Sequence, residues 1–324
     1  MIDQLLRFEP ILKDKIWGGD KLIRLFGKKS DRTDIGESWE ISDVKGDETI
    51  VSYGTLKGKN LKELINLFKE DFLGKKVFKE FGSDFPLLIK FIDAKEKLSI
   101  QLHPDDELAQ QRHNSFGKTE MWYIMQADED SEIMVGFKKD SNEKEYLEHL
   151  ENKTLLEILN VDEVSSGDLY FIPTGRIHAI GAGVLLAEIQ QTSDNTYRIY
   201  DWDRQDKEGY YRELHTDLAK EAIDYKALDN YKTKYKVVKT GVTEVVSCPY
   251  FSTNLVSFKG RINLKHTDKD SFVIYMCVEG EVDFHYKQQI EKVNVGETII
   301  LPACIKEVDL TSSKQSKLLE VFIK

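Results

Sequence analysis

Two heptapeptides constrain this chain more than anything else in it. Gly167-Asp-Leu-Tyr-Phe-Ile-Pro173 and Gly296-Glu-Thr-Ile-Ile-Leu-Pro302 share one pattern: a glycine, an acidic residue, four strand formers and a proline. Self-similarity at long spacing is the mark of a duplicated module, and four strand formers between a turn residue and a proline make it a β-module. A length of 324 residues suits about two domains, each long enough to bury its own core. The boundary falls near residue 240, after the Tyr- and Lys-rich stretch Tyr231 to Lys239, which gives modules 1–240 and 241–324.

Other short β-rich runs lie between glycines and prolines: Leu87 to Ile92, Met121 to Met125, Val184 to Gln190 and Phe272 to Val278. Runs of this length and spacing predict sheets packed or closed on themselves, as in a jelly roll. Helices enter as insertions. Leu61 to Phe81 carries apolar residues at helical spacing and predicts one amphipathic helix, or two broken near Gly74. Thr154-Leu-Leu-Glu157 has capping-box spacing and predicts a helix start, and a further helix is expected over Glu213 to Tyr225. The fold class is therefore mainly β with helical insertions.

Composition excludes several classes of function. A net charge of -11, without a long basic run, makes nucleic acid a poor partner. No apolar run approaches the ~20 residues that cross a bilayer, and the start MIDQLLRFEP lacks a secretory pattern, so a cytoplasmic protein with no membrane partner is expected. Cys248, Cys277 and Cys304 have no metal-ligand spacing and read as thiols in a reducing compartment. Nothing marks an oligomer interface, and the chain is read as a monomer.

The chemistry concentrates in three short stretches. In Ser99-Ile-Gln-Leu-His103, strand alternation puts Ser99, Gln101 and His103 on one face and Ile100 and Leu102 on the other. Pro104 and an acidic first turn, Asp105 to Glu107, then end the strand and start a helix. Glu120 opens another strand in Gly117-Lys-Thr-Glu-Met-Trp-Tyr123, and His178 follows Pro173 by five residues. A lone strand histidine reads as a hydrogen-bonded structural residue. Together, Gln101, His103, Glu120 and His178 offer two imidazoles, a carboxylate and an amide carbonyl, a set suited to Zn²⁺ or a similar divalent ion. His113, His149, His215, His266 and His285 have no such company.

These stretches resemble a known family. Gly167-x5-Pro173-x-Gly175-x2-His178 is similar to the second cupin motif, departing where Ala182 replaces the usual Asn. Ser99-Ile-Gln-Leu-His-Pro-Asp105 with Lys118-x-Glu120 resembles the first cupin motif as it occurs in type I mannose-6-phosphate isomerases, where Gln replaces the first His. Ile16-Trp-Gly-Gly19, Gly36-Glu-Ser-Trp-Glu-Ile-Ser42 and the run from Ser193 to Trp202 extend the likeness from residue 10 to about 205.

The resemblance implies a bicupin of two jelly-roll barrels, with one zinc ion per chain held by Gln101, His103, Glu120 and His178. It also implies a sugar-phosphate pocket with Ser99, Lys118, Glu188 and Arg198, in which mannose 6-phosphate and fructose 6-phosphate interconvert through an enediol. In that scheme Glu188 is the leading base, Arg198 stabilises anionic oxygen, and Lys118, Arg198 and Ser99 meet the phosphate. From their residue type, Trp17 and Trp39 are read either as aromatic walls for the sugar or as packing for the N-terminal strands, with Trp17 placed at the pocket. After Pro302 the second copy has Glu307 where the first has His178, so that module is expected to be metal-free. The rival readings are a sugar-phosphate-binding bicupin without catalysis and a cupin metal oxygenase.

Overall fold

The computed structural model describes residues 2–324. Its repeat is a physical unit. Gly167 and Gly296 both take positive φ, +92° and +79°, which glycine alone adopts freely. The acidic residues behind them do the same work: Asp168 accepts from the Ser165 amide at 2.9 Å and Glu297 from the Asn294 amide at 2.7 Å. Each turn thereby launches an edge strand, Leu169–Ile172 in one sheet and Thr298–Leu301 in another.

The first module is a sandwich of two antiparallel sheets. A six-stranded sheet runs in the order Leu169–Ile172, Glu120–Ala127, Val184–Gln191, Leu87–Ala94, Ile11–Gly19, Ile35–Ile41. A five-stranded sheet runs in the order Leu159–Glu163, Glu132–Phe137, His178–Ile180, Ile100–Leu102, Tyr197–Tyr200. Side chains alternate across each strand, so every strand sends one set inward and one outward. Between the sheets lie Ile92, Trp122, Ile124, Tyr170 and Leu186 from the first and Ile133, Val135 and Ile180 from the second. The outer face of the smaller sheet, with Ile100, Leu102, Phe137, Tyr197 and Ile199, is covered by Tyr146, Leu155 and Ala219.

The outer face of the larger sheet carries Ile89, Phe91, Tyr123, Ala187 and Ile189 into a core shared with the second module, which contributes Phe251, Leu255, Phe272, Ile274, Met276, Leu319 and Val321. That module is a seven-stranded antiparallel sheet beginning at Gly241, curled around its own core of Val256, Phe258, Tyr275, Phe284, Ile299 and Leu310. The N-terminal end of the chain threads into it. Leu5 joins that core, and Leu6 and Ile300 exchange backbone hydrogen bonds of 3.0 and 2.9 Å.

Helices differ most from expectation. Leu61 to Phe81 forms three pieces, Leu61–Phe68, Glu70–Leu73 and Lys75–Phe81, broken at Lys69 (φ +46°) as well as at Gly74 (φ +93°). Gly74 has no room for a side chain, since a Cβ would lie 2.2 Å from the Asp270 carbonyl oxygen. The capping box is found not at Thr154 but at Asn60 and Glu63. The Thr154 hydroxyl is engaged by His149 Nδ1 at 2.8 Å, and only a 3₁₀ turn, Leu155–Glu157, precedes the next strand. Glu213 to Tyr225 contracts to a helix over Thr216–Ala222, and Glu143–Glu151 is a helix the sequence reading omitted.

Inside the second module a carboxylate occupies a wholly buried position. Glu320 accepts from Asn254 at 2.6 Å, Tyr275 at 2.7 Å and Lys269 at 3.3 Å, and lies 3.1 Å from His266 Nε2. Burial pushes this carboxyl up, but His266, Lys269, Asn254 and Tyr275 outweigh burial and hold it at about 2. A carboxylate depressed from 4.5 to about 2 contributes ~3 kcal/mol above its unfolded value, lost as pH falls through the folded one. Wild-type protein should therefore lose about that much more stability than Glu320→Gln between pH 4.5 and 2, measured as denaturant midpoints across that range. Parallel curves for the two proteins would remove the assignment.

Candidate metal centre and cavity

The site is made by two rows of cross-strand neighbours that face each other. On the larger sheet the register places Trp39, Lys90, Glu188, Trp122 and Tyr170 side by side. On the smaller sheet Val135, His178, Gln101 and Arg198 are direct neighbours. The rows meet where the Trp122 and His178 rings pack edge to face at 5.2 Å. The predicted alternation holds, with Ser99 and Gln101 on the cavity wall and Ile100 and Leu102 in the opposite core.

His103, Glu120 and His178 converge so that one ligand atom from each lies within 4.8 Å of the others, all three side chains being buried. His103 Nδ1 sits 2.9 Å from the Asn195 carbonyl oxygen and His178 Nδ1 2.9 Å from that of Arg176. A carbonyl accepts only, so each Nδ1 carries the proton and each Nε2 presents a lone pair. Those lone pairs look at Glu120, with His103 Nε2 at 3.5 Å from Oε2 and His178 Nε2 at 3.4 Å from Oε1.

Neither ring can supply the missing proton. Burial pushes the His103 imidazole well down, helped by Lys118, and burial also lowers His178 despite Glu120. Acceptors thus face acceptors, and His103 Nε2 and both Glu120 oxygens have no hydrogen-bond partner. A divalent cation satisfies all of them at once. The Gln101 amide reaches the same point, its Nε2 3.4 Å from His178 Nε2 and its Oε1 accepting from Ser99 Oγ at 3.2 Å. Turning this amide over exchanges two groups of nearly equal shape and brings the carbonyl oxygen to the cluster. The four residues therefore fit a divalent ion in an N₂O₂ donor set.

Beside this cluster lies a cavity of about 280 Å³, walled by Trp17, Lys90, Ser99, Lys118, Glu188 and Arg198 among others. Every residue expected at the substrate site is here. Trp39, the alternative aromatic wall, lies outside the cavity and packs beneath Lys13 and Lys90 with its indole N–H donating to Glu37 at 2.6 Å. Five cations line the cavity, Lys15, Lys90, Lys118, Arg198 and Arg212. Three have carboxylate partners: Lys15 meets Glu37 at 3.4 Å, Lys90 meets Glu188 at 3.2 Å and Arg212 meets Asp201 at 2.5 Å. Lys118 and Arg198 have none among the described residues, although Lys118 is only 4% exposed. Arg198 is held by Ser99 Oγ at 3.3 Å and the Glu213 carbonyl at 3.0 Å, so its direction is fixed while no described carboxylate lies in ion-pair contact with it.

Glu188 is fully engaged. Lys90 binds one carboxylate oxygen and the Trp122 indole N–H donates to the other at 2.8 Å. Burial and Glu120 push its carboxyl up, against Lys90, Lys118 and Trp122, and the net direction is upward. Lys90 itself is raised, because Glu188 and Glu37 more than offset its burial. Asp201 fixes the loop after Arg198 by binding Arg204 at 2.7 Å and Arg212 at 2.5 Å.

Sequence reasoning missed Lys90, Trp122, Arg212 and His215 on the cavity wall. Lys90 had a signal, being the one basic residue in the otherwise mostly apolar strand Leu87–Ala94. His215, read as lacking company, lines the cavity and accepts the Arg198 amide at Nδ1, 3.2 Å away. Its approach depends on a loop with no periodic pattern. In the second module Glu307 is exposed and bonds Asn263 at 2.8 Å, far from any ligand set, and the described residues hold no other His, Cys, Asp or Glu cluster of metal-ligand geometry.

Two family models match this chain: phosphomannose isomerase type I, catalytic domain, over residues 5–139, and mannose-6-phosphate isomerase, cupin domain, over residues 241–321. Mannose-6-phosphate isomerase ManA of Bacillus subtilis is 34% identical over 314 residues, which cover 96% of each chain. Mannose-6-phosphate isomerase of Streptococcus mutans is 33% identical and covers 90% of each. A crystal structure of the mannose 6-phosphate isomerase from Bacillus subtilis superposes with a TM-score of 0.88, covering 99% of this chain and all of that one at 33% identity.

The orphaned acceptors make a stability prediction. An ion bound only by the folded state should stabilise it by about 2.7 kcal/mol at a hundredfold excess over Kd, and so raise the thermal midpoint with ion concentration. Glu120→Gln, which removes the only negative ligand, should lose that zinc-dependent rise and the bound metal, read by calorimetry and elemental analysis. A rise that survives in Glu120→Gln would move the ion elsewhere.

Proposed function

This chain belongs to the type I phosphomannose isomerase family, and from that premise we propose that it interconverts mannose 6-phosphate and fructose 6-phosphate through an enediol, in the cytoplasm, with zinc at Gln101, His103, Glu120 and His178. The observation that carries the reading is a buried cluster of acceptors beside a cavity whose two unpaired cations are Lys118 and Arg198. A bound divalent ion supplies Lewis acidity, which polarises a carbonyl and stabilises the oxyanion that develops as the neighbouring proton leaves.

The remaining work falls to this chain's own side chains. Lys118 and Arg198 offer donors to a phosphate or to anionic oxygen, and the Ser99 hydroxyl adds a neutral one. Trp17, 3% exposed, lines the cavity and offers its indole as an apolar wall for the sugar. Glu188 is assigned the proton transfer. A carboxyl raised towards neutrality is a better base at working pH, and a positioned base is worth ~10²–10⁴-fold. Lys90 and Trp122 hold it at a fixed place on the wall. The same contacts favour a second reading, in which Glu188 is a structural partner of Lys90 and another group moves the proton.

Turnover tests both levels. Fructose 6-phosphate formation, followed by a coupled assay, should disappear on chelation and return with zinc. Glu188→Gln should keep its zinc and lose turnover by two orders of magnitude or more; near-wild-type activity would assign the base elsewhere. Lys118→Ala should raise KM for the phosphorylated sugar far more than Lys207→Ala, an exposed lysine outside the cavity. Equal effects would remove Lys118 from the phosphate.

A further inference from the structure

We propose that Tyr250, in the second module, positions the metal-binding residues of the first through Asp106. The proposal rests on the reading that His103, Glu120 and His178 hold a divalent ion. Asp106 opens the helix Asp106–His113, three residues after His103. Its Oδ1 accepts from the Gly117 amide at 2.8 Å and from Gln191 Nε2 at 3.0 Å. Gln191 Oε1 in turn accepts from the Thr119 amide at 2.8 Å, and the Lys118 amide donates to the Pro104 carbonyl at 3.3 Å. One carboxylate therefore ties together the chain leaving His103, the segment carrying Lys118 and Glu120, and the strand carrying Glu188.

No slack exists between these segments. A Cβ on Gly117 would lie 2.8 Å from the Asp106 amide nitrogen and 3.0 Å from Asp106 Oδ1. The second oxygen, Oδ2, accepts from the Tyr250 hydroxyl at 2.7 Å. Tyr250 sits in the turn joining strands Gly241–Ser247 and Ser252–Lys265, with its ring against the core that both modules share. That turn is closed by the Cys248 amide donating to the Phe251 carbonyl at 3.0 Å. Asp106 thus has its rotation about the carboxyl bond fixed from outside the first module. Without that hydroxyl, Oδ2 loses its donor and the carboxylate is free to turn away from Gly117 and Gln191.

Metal sites respond to displacements of a few tenths of an ångström, and groups that orient ligands from outside the coordination shell typically change affinity by ~10–100-fold. Tyr250→Phe is expected to weaken zinc by about tenfold, at the low end of that range because Tyr250 acts through Asp106. Full-length protein is stripped of metal and titrated with zinc against a competing fluorescent chelator. Tyr286→Phe is the control, since its hydroxyl donates to Asp3 at 3.1 Å, in the N-terminal stretch that threads into the second module and away from the metal cluster. Weaker zinc binding in Tyr250→Phe alone supports the proposal. Equal affinities for Tyr250→Phe and wild type overturn it, even if the metal-free thermal midpoint falls, because the hydrogen bond then only fastens the modules. Equal weakening in both variants overturns it too. A wild-type chain that takes up no zinc overturns the metal-centre reading as well, and that result is visible without either variant.

Discussion

A buried carboxylate and two imidazoles have their lone pairs turned on one another, and a cation between them would satisfy all three. Each buried acceptor left without a partner costs ~1–3 kcal/mol, and His103 Nε2, Glu120 Oε1 and Glu120 Oε2 are three such atoms. The backbone enforces the arrangement, since the carbonyls of Asn195 and Arg176 take the Nδ1 protons and leave no other tautomer. The rest of the first module can be read as the means of holding this contact. Two sheets are needed because the ligands approach from both sides, Glu120 from one and Gln101 and His178 from the other. His103 sits one residue beyond its strand, where Pro104 and the N-cap Asp105 turn the chain into a helix.

The second module shows what the same turn-and-strand unit does without that demand. Its interior also buries a carboxylate, Glu320, but the cation comes from the chain itself as Lys269, and Asn254 and Tyr275 complete the shell. A carboxylate with in-chain donors calls for no ion. Among the described residues the one cluster of metal-ligand geometry lies in the first module. The shared core between the larger sheet and Phe251, Leu255, Ile274 and Leu319 then makes the second module a wall against which the catalytic sheet is pressed.

Much of this was legible in the sequence because strands have a period of two. Alternation alone put Ser99, Gln101 and His103 on one face, and the repeated Gly-acid-x4-Pro unit announced two copies of one β-module. The ligand set was readable as a set only because four weak signals shared one chemistry. What was not legible depends on contacts distant in sequence. That Glu188 stands between Lys90 and Trp122 is a matter of sheet register across three strands, and no local pattern encodes it. The break at Lys69 and the failure of Thr154 to cap a helix have the same cause, tertiary contact overriding propensity. His215 and Arg212 arrive through the loop after Trp202, whose course is set by Asp201 rather than by periodicity.

The charge balance resolves an apparent conflict between an acidic protein and an anionic ligand. The chain carries a net charge of -11. At physiological ionic strength exposed charges are screened beyond ~8 Å, so the surplus carboxylates on the surface contribute little inside a cavity, whereas buried charges are screened much less. On the cavity wall Lys15, Lys90 and Arg212 have carboxylate partners in Glu37, Glu188 and Asp201, the last of which also binds Arg204, and Asp194 adds a further carboxylate. Lys118 and Arg198 are the lining cations with no carboxylate in ion-pair contact among the described residues, and the first is almost wholly removed from water and therefore costly unless an anion joins it. A buried ammonium without a counter-ion on one side and buried acceptors without a cation on the other are complementary deficits. On the proposed reading, a substrate with an anionic end and a polarisable carbonyl, bound together with a divalent ion, would remove both, and the two halves of the site lie next to each other as that requires.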